Sequence, residues 1–173
     1  MKLTMIGHCT VLLEMSGKKL LTDPYFAVGR RWPYERVVAP ARTREEMVDV
    51  DVVLLSHLHW DHVDEEYLQL LSADVPVLAP SPVSLGARVG QRVVRMEPWF
   101  SQSFGEVTVT AVPALHTAFA VGYVVSAQGQ SVYYAGDTYF GSFMERIGQE
   151  LRPDVALIPV TTFRIPMTMG EKG

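Results

Sequence analysis

The run Val50-Asp51-Val52-Val53-Leu54-Leu55-Ser56 is almost continuously apolar, and it is followed at once by His57-Leu58-His59-Trp60-Asp61-His62. A short apolar run of this kind predicts a strand covered on both faces, so the fold has to supply layers above and below it. Only five histidines occur, and three of them fall in this hexapeptide. Were the hexapeptide to continue the strand, His57, His59 and Asp61 would face one side and His62 the other. As a loop leaving a rigid strand end, it can turn all four groups toward one point. Imidazole and carboxylate suit zinc and similar divalent ions, and a polar surface loop is the plain alternative.

The rest of the chain predicts a layered α/β protein. Short strands are expected at Lys2 to Ile6, Val11 to Met15 and, after the Ser16-Gly17 turn, Lys18 to Thr22. Others are expected at Val75 to Leu78, Val93 to Met96, Val107 to Val112, Gly122 to Ser126, Ser131 to Ala135 and Val155 to Pro159. Gly129 marks a hairpin turn. Asp64 can cap a helix reaching about Leu71, with Glu65 and Glu66 in its first turn. Ser81-Pro82 reads as a second helix start leading through Val83 to Val89, and Tyr139 to Leu151 as a third helix with Phe143, Ile147 and Leu151 on one face. Strands that are first hairpin-linked and then interspersed with helices indicate a mixed α/β sandwich. Residues 1–173 are read as a single domain, as the length allows.

Composition narrows the function classes. Fifteen basic against 19 acidic residues give a net charge of −4, which argues against broad nucleic-acid binding. The single cysteine, Cys9, cannot form an internal disulfide, so a reducing, cytoplasmic setting is expected. No apolar run reaches the ~20 residues of a membrane helix, and the N-terminus lacks the long apolar stretch of a secretory signal.

Two further ligand-type residues lie beyond predicted strands: His116, and Asp137 in Gly136-Asp137-Thr138. Each alone is a weak signal, a lone polar histidine or a turn with a helix cap. Taken together, His57-x-His59-x-Asp61-His62, His116, Asp137 and Asp23 at the end of the third strand resemble the metallo-β-lactamase-fold hydrolases. Gly7-His8-Cys9-Thr10, Thr22-Asp23-Pro24 and Gly136-Asp137-Thr138 are similar to the branch that contains N-acyl-phosphatidylethanolamine phospholipase D-like and ascorbate-phosphate lactonase-like enzymes. The resemblance implies an αββα sandwich. It implies that His57, His59 and His116 hold one metal ion, that Asp61 and His62 hold a second, and that Asp137 bridges the two. The ions implied are zinc first, with Mn2+ or Fe2+ as alternatives. Two cations sharing a water would generate hydroxide near neutral pH, which places Asp61 and His62 at the catalytic centre, Asp61 also orienting the nucleophile. Asp23 reads either as a turn residue before Pro24 or as a carboxylate behind the ligands that orients a histidine. His8 has a substrate or supporting role or a purely structural hydrogen bond, and Cys9 reads as a small buried residue between two strands.

One departure stands out. The family supplies a last ligand histidine on a C-terminal strand, and this chain has no histidine after His116. The expectation is a C-terminally short form in which the second ion binds more weakly. An apolar face and an unpaired sheet edge would then be exposed and favour self-association into a homo-oligomer. Arg30, Arg31, Arg36, Arg42 and Arg44 lie beside Phe26, Trp32 and Tyr34. Guanidinium groups suit phosphate, Arg30 and Arg31 being the substrate candidates, whereas a solvated loop balanced by Glu35, Glu45 and Glu46 is the plain reading. Trp60 and the Trp99-Phe100 pair either line a pocket or pack. The expected partner is a small molecule, phosphorylated or lipid-like, cleaved as a phosphodiester, phosphate-bearing lactone or related ester. A weakly active metal-binding remnant and a nuclease of the same fold are the rival readings.

Overall fold

Leu20 and Leu21 are both buried, on opposite faces of one strand, and this alternation is repeated through the molecule. A computed structural model describes residues 1–31, 34–82, 85 and 93–160. In chain order its strands are β1 (Lys2–Gly7), β2 (Thr10–Met15), β3 (Lys18–Thr22), β4 (Gly29–Arg31), β5 (Tyr34–Arg36), β6 (Val52–Leu54), β7 (Val77–Pro80), β8 (Val93–Met96), β9 (Ser101–Phe104), β10 (Val107–Pro113), β11 (Val121–Ala127), β12 (Gln130–Tyr134) and β13 (Val155–Leu157). One sheet runs β1-β2-β3-β6-β7-β8, another β13-β12-β11-β10-β9, and β4 and β5 form a separate hairpin. The first sheet begins as an antiparallel meander and becomes parallel from β3 onward. The second is antiparallel except where β12 meets β13.

The two sheets pack face to face. Leu13, Leu20, Val52, Leu54 and Leu78 of the first meet Val109, Ala111, Tyr123, Val125 and Val132 of the second. On the outer face of the first sheet, Leu21, Val53, Leu55, Val77 and Ala79 are covered by Tyr67, Leu68 and Leu71 in and just after helix α1 (Glu65–Leu70). Outside the second sheet, Val112, Val124 and Tyr133 are covered by Phe143, Ile147 and Leu151. The result is the α/β sandwich expected, with a helical layer on each outer face. β6 is shorter than the predicted run, but Val52 and Leu54 face inward while Val53 and Leu55 face outward, so the run is apolar throughout because both faces are covered.

Asp64 caps α1 as expected, its side chain accepting from Tyr67 N, while Arg44 Nε donates to the same carboxylate at 2.9 Å. The β11–β12 hairpin turns through Gln128 and Gly129, both with positive φ. The predicted Tyr139–Leu151 helix is corrected: helix α2 is only Phe143–Arg146, and Ile147–Leu151 continues as a wider π turn. The predicted strand ending at Pro159 stops at Leu157. Ser81 and Pro82 form a turn, and most of the helix predicted after them lies outside the described residues. No helix among the described residues is long and apolar enough to cross a membrane.

Candidate metal centre

The centre is built around Asp23, the first residue after β3. Its backbone N–H donates to Leu54 O at 2.8 Å, tying the end of β3 to β6. Its fully buried carboxylate accepts from Ser56 N at 2.6 Å, Ser56 Oγ, Tyr134 Oη and His62 Nδ1 at 2.8 Å. Asp23 therefore orients His62 directly, and its place before Pro24 is more than a turn. Ser56 continues the chain of contacts: its Oγ lies 3.0 Å from His57 Nδ1, and its carbonyl accepts from Val121 N of the other sheet at 2.9 Å.

These contacts fix which ring atoms are free. His57 is fully buried, Nδ1 is engaged by Ser56, and Nε2 is buried without a hydrogen-bond partner. An orphaned buried nitrogen of this kind is costly unless something binds it. One ligand atom each from His57, His59 and His116 lies within 4.8 Å of the others, and His116 Nε2 is 3.1 Å from His59 Nδ1. Burial, reinforced by neighbouring His62, holds His57 down to about 4, so it is a neutral donor at physiological pH. Burial and the neighbouring His59 also lower His116. Three imidazoles converging on one point fit a divalent cation.

Asp137 is brought to the same place by Gly136. That glycine has φ +58°, and a Cβ there would sit 2.4 Å from Ser56 Cβ, so only glycine lets the loop after β12 cross the loop after β6. Thr138 Oγ1 accepts from Leu115 N at 2.9 Å and Tyr139 N donates to Leu115 O, which ties the His116 and Asp137 loops together. Asp137 Oδ2 is 3.5 Å from His62 Nε2, and that contact holds the carboxyl down to about 2. Burial opposes the charged form of His62, but hydrogen bonds to Asp137 and Asp23 outweigh it and raise its pKa. Asp61 Oδ2 is 3.4 Å from His8 Nε2. This pairing raises His8 to about 9, and it lowers Asp61 against the opposing effect of burial.

Residues 18–171 match the beta-lactamase superfamily domain. Over 188 residues the chain is 33% identical to a protein of Anoxybacillus flavithermus named UPF0173 metal-dependent hydrolase, covering 99% of this chain and 77% of that one. The chain belongs to this hydrolase family. Among solved structures, this superfamily domain is similar to the isothiocyanate hydrolase from Delia radicum gut bacteria, with TM-score 0.74 and 23% identity over 90% of this chain and 70% of that one. It is also similar to a metallo hydrolase from the archaeon Ignicoccus hospitalis, with TM-score 0.71 and 22% identity over 91% and 70% of the two chains. Both likenesses are of fold.

The superfamily domain thus brings His57, His59, Asp61, His62, His116, Asp137, Asp23 and His8 into one neighbourhood. Arg30 and Arg31 fall on β4, and their side chains lie outside the described residues. Two of the other arginines are spent on the fold. Arg36 donates to Tyr25 O at 2.7 Å, and Arg44 pairs with Asp64 and with Glu66. Trp99 packs in the outer cluster under Arg146, and Trp60 packs edge-on to Tyr25. Sequence reasoning missed Ser56 and Tyr134, which hold Asp23 and carry no spacing signal. It also misread Cys9, which is half-buried in the β1–β2 turn rather than sealed in the core. A cavity of about 560 Å³ opens beside the centre, with His8, Cys9, Tyr134, Asp137, Met5 and Ile158 among its lining residues.

Proposed function

We propose that this chain carries the hydrolytic centre of a binuclear metal-dependent hydrolase that cleaves a phosphodiester, a phosphate-bearing lactone or a related ester. The observation that carries the reading is the buried, unpartnered Nε2 of His57 beside His59 and His116. In this reading those histidines would hold one divalent ion and Asp61 and His62 a second, with Asp137 serving both. Zinc is the first choice and Mn2+ or Fe2+ the alternatives. When bound, such ions polarise the scissile bond and lower the pKa of water. The protein's own part is orientation. Asp23 holds His62 with Nε2 facing Asp137, Ser56 fixes the His57 ring, and Asp61, steadied by His8, is placed to accept a proton from the attacking water.

The substrate class draws support from the cavity, whose Met5 and Ile158 suit an apolar or lipid-like substituent, and from Arg30 and Arg31 on β4 as anion-binding candidates. The Gly7-His8-Cys9-Thr10 and Thr22-Asp23-Pro24 segments support a place near the phospholipase D-like and lactonase-like branch. A reducing, cytoplasmic setting accords with the single cysteine. The test is elemental analysis of the purified chain combined with turnover of bis-p-nitrophenyl phosphate. Bound transition metal is expected, with turnover lost in Asp61→Ala and metal lost in His57→Ala. A chain without transition metal that is indifferent to His57→Ala overturns the reading.

A further inference from the structure

The β1–β2 turn brings a different kind of donor to the centre. Gly7, at the end of β1, takes φ +144°, a conformation that favours glycine, and leads into this turn. The turn is held from below. Thr22 Oγ1 donates to Cys9 O at 2.9 Å, Tyr134 Oη sits 3.1 Å from the same carbonyl, and Thr10 Oγ1 donates to Asp23 O at 2.8 Å. Cys9 Sγ is thereby placed 3.4 Å from Asp61 O, facing the ligand loop and lining the open cavity.

Cys9 Sγ, a ring nitrogen of His8 and a ring nitrogen of His62 all lie within 4.8 Å of one another. His62 is buried and its Nδ1 is committed to Asp23 at 2.8 Å, so Nε2, which faces Asp137 at 3.5 Å, is the nitrogen free to bind a cation. A thiol and two imidazoles thus meet at one place, with Asp137 facing His62 Nε2.

Building on the binuclear reading, we infer that Cys9 is a sulfur ligand of the second cation, bound together with His62, with His8 and Asp137 beside it. Binding displaces the thiol proton to solvent and forms a metal–sulfur bond, with no change in oxidation state. A thiolate in the set makes this position selective for zinc, cobalt and other thiophilic ions over manganese or magnesium.

The chain's single cysteine makes the test specific. The metal-free protein is titrated with Co2+ and followed by absorption. Two equivalents should bind, and the second should bring up a near-ultraviolet sulfur-to-cobalt charge-transfer band. Cys9→Ser should abolish the band and weaken the second equivalent by about tenfold or more while leaving the first intact. His116→Ala should weaken the first equivalent and keep the band. Two equivalents of cobalt bound by the unmodified protein without that band overturn the Cys9 assignment and leave the binuclear reading standing, whereas a single bound equivalent overturns both. If no cobalt binds at all, both fall. Because the decisive spectrum is that of the unmodified protein, the outcome does not depend on any variant folding.

Discussion

Replacing Asp23 by alanine removes the acceptor around which the centre is organised. Four hydrogen bonds reach its carboxylate, from Ser56 N, Ser56 Oγ, Tyr134 Oη and His62 Nδ1. Two of these donors have an alternative within reach: Ser56 Oγ can turn to His57 Nδ1 at 3.0 Å, and Tyr134 Oη to Cys9 O at 3.1 Å. Ser56 N and His62 Nδ1 do not, and both residues are buried. An orphaned buried donor costs about 1–3 kcal/mol, so the variant should lose about 2–6 kcal/mol. Against a typical domain stability of about 5–15 kcal/mol, it should remain folded but marginal. Urea unfolding of the metal-free protein should show this as a lower midpoint at unchanged slope. With His62 no longer oriented, zinc affinity should fall by about 10–100-fold in the same variant. A loss below about 0.5 kcal/mol with zinc affinity unchanged would refute the reasoning, because a true hub cannot be removed at surface-mutation cost.

Gly136→Ala should cost about 1–3 kcal/mol in thermal unfolding, because its φ is +58° and the new Cβ meets Ser56 Cβ at 2.4 Å; an unchanged melt would show that the crossing loops can separate freely. Tyr134→Phe deletes one donor to Asp23 and should cost about 1 kcal/mol, far less than Asp23→Ala on the same urea scale. Arg44→Ala leaves the buried cap Asp64 without its cation and should destabilise by about 2 kcal/mol in the same assay, with loss of helical circular dichroism. His57 titrates at about 4 in the folded protein against 6.5 ordinarily, because burial and His62 disfavour its charged form. Between pH 4 and 6.5 the unfolded chain therefore binds a proton that the native state does not, so the stability contributed by His57 is complete above 6.5 and lost as pH falls toward 4. Metal-free His57→Asn should accordingly lose stability less steeply than the parent across that window, and equal slopes would contradict the assignment.

What was legible in the sequence was local. The hexapeptide announced itself because its ligand-type residues are adjacent, and the Asp64 cap because its partner Tyr67 is three residues on. The β4–β5 hairpin and β9 were not legible. Ser101–Phe104 alternates serine and glutamine at a sheet edge, where little apolar surface is buried. The π turn at Ile147–Leu151 was also invisible, since Phe143, Ile147 and Leu151 cover the same face in either geometry. His116 and Asp137 gained meaning only through family resemblance. The Ser56 and Tyr134 contacts to Asp23 had no signal, because those residues are 33 and 111 positions away along the chain.

Ser56 couples two events that are ordinarily separate. Its carbonyl bonds Val121 of the opposite sheet while its N–H and hydroxyl serve Asp23 and His57. The stitch between the sheets and the cradle of the ligands are thus one residue, and the sandwich cannot part there without dismantling the cradle. A cation present at about a hundred times its dissociation constant adds about 2.7 kcal/mol to the folded state. If it acts through this stitch, exchange of the Val121 amide with solvent deuterium should slow by about a hundredfold on loading. The cell's free metal would then set how long the domain lives between openings, so that exposure to proteolysis tracks metal supply.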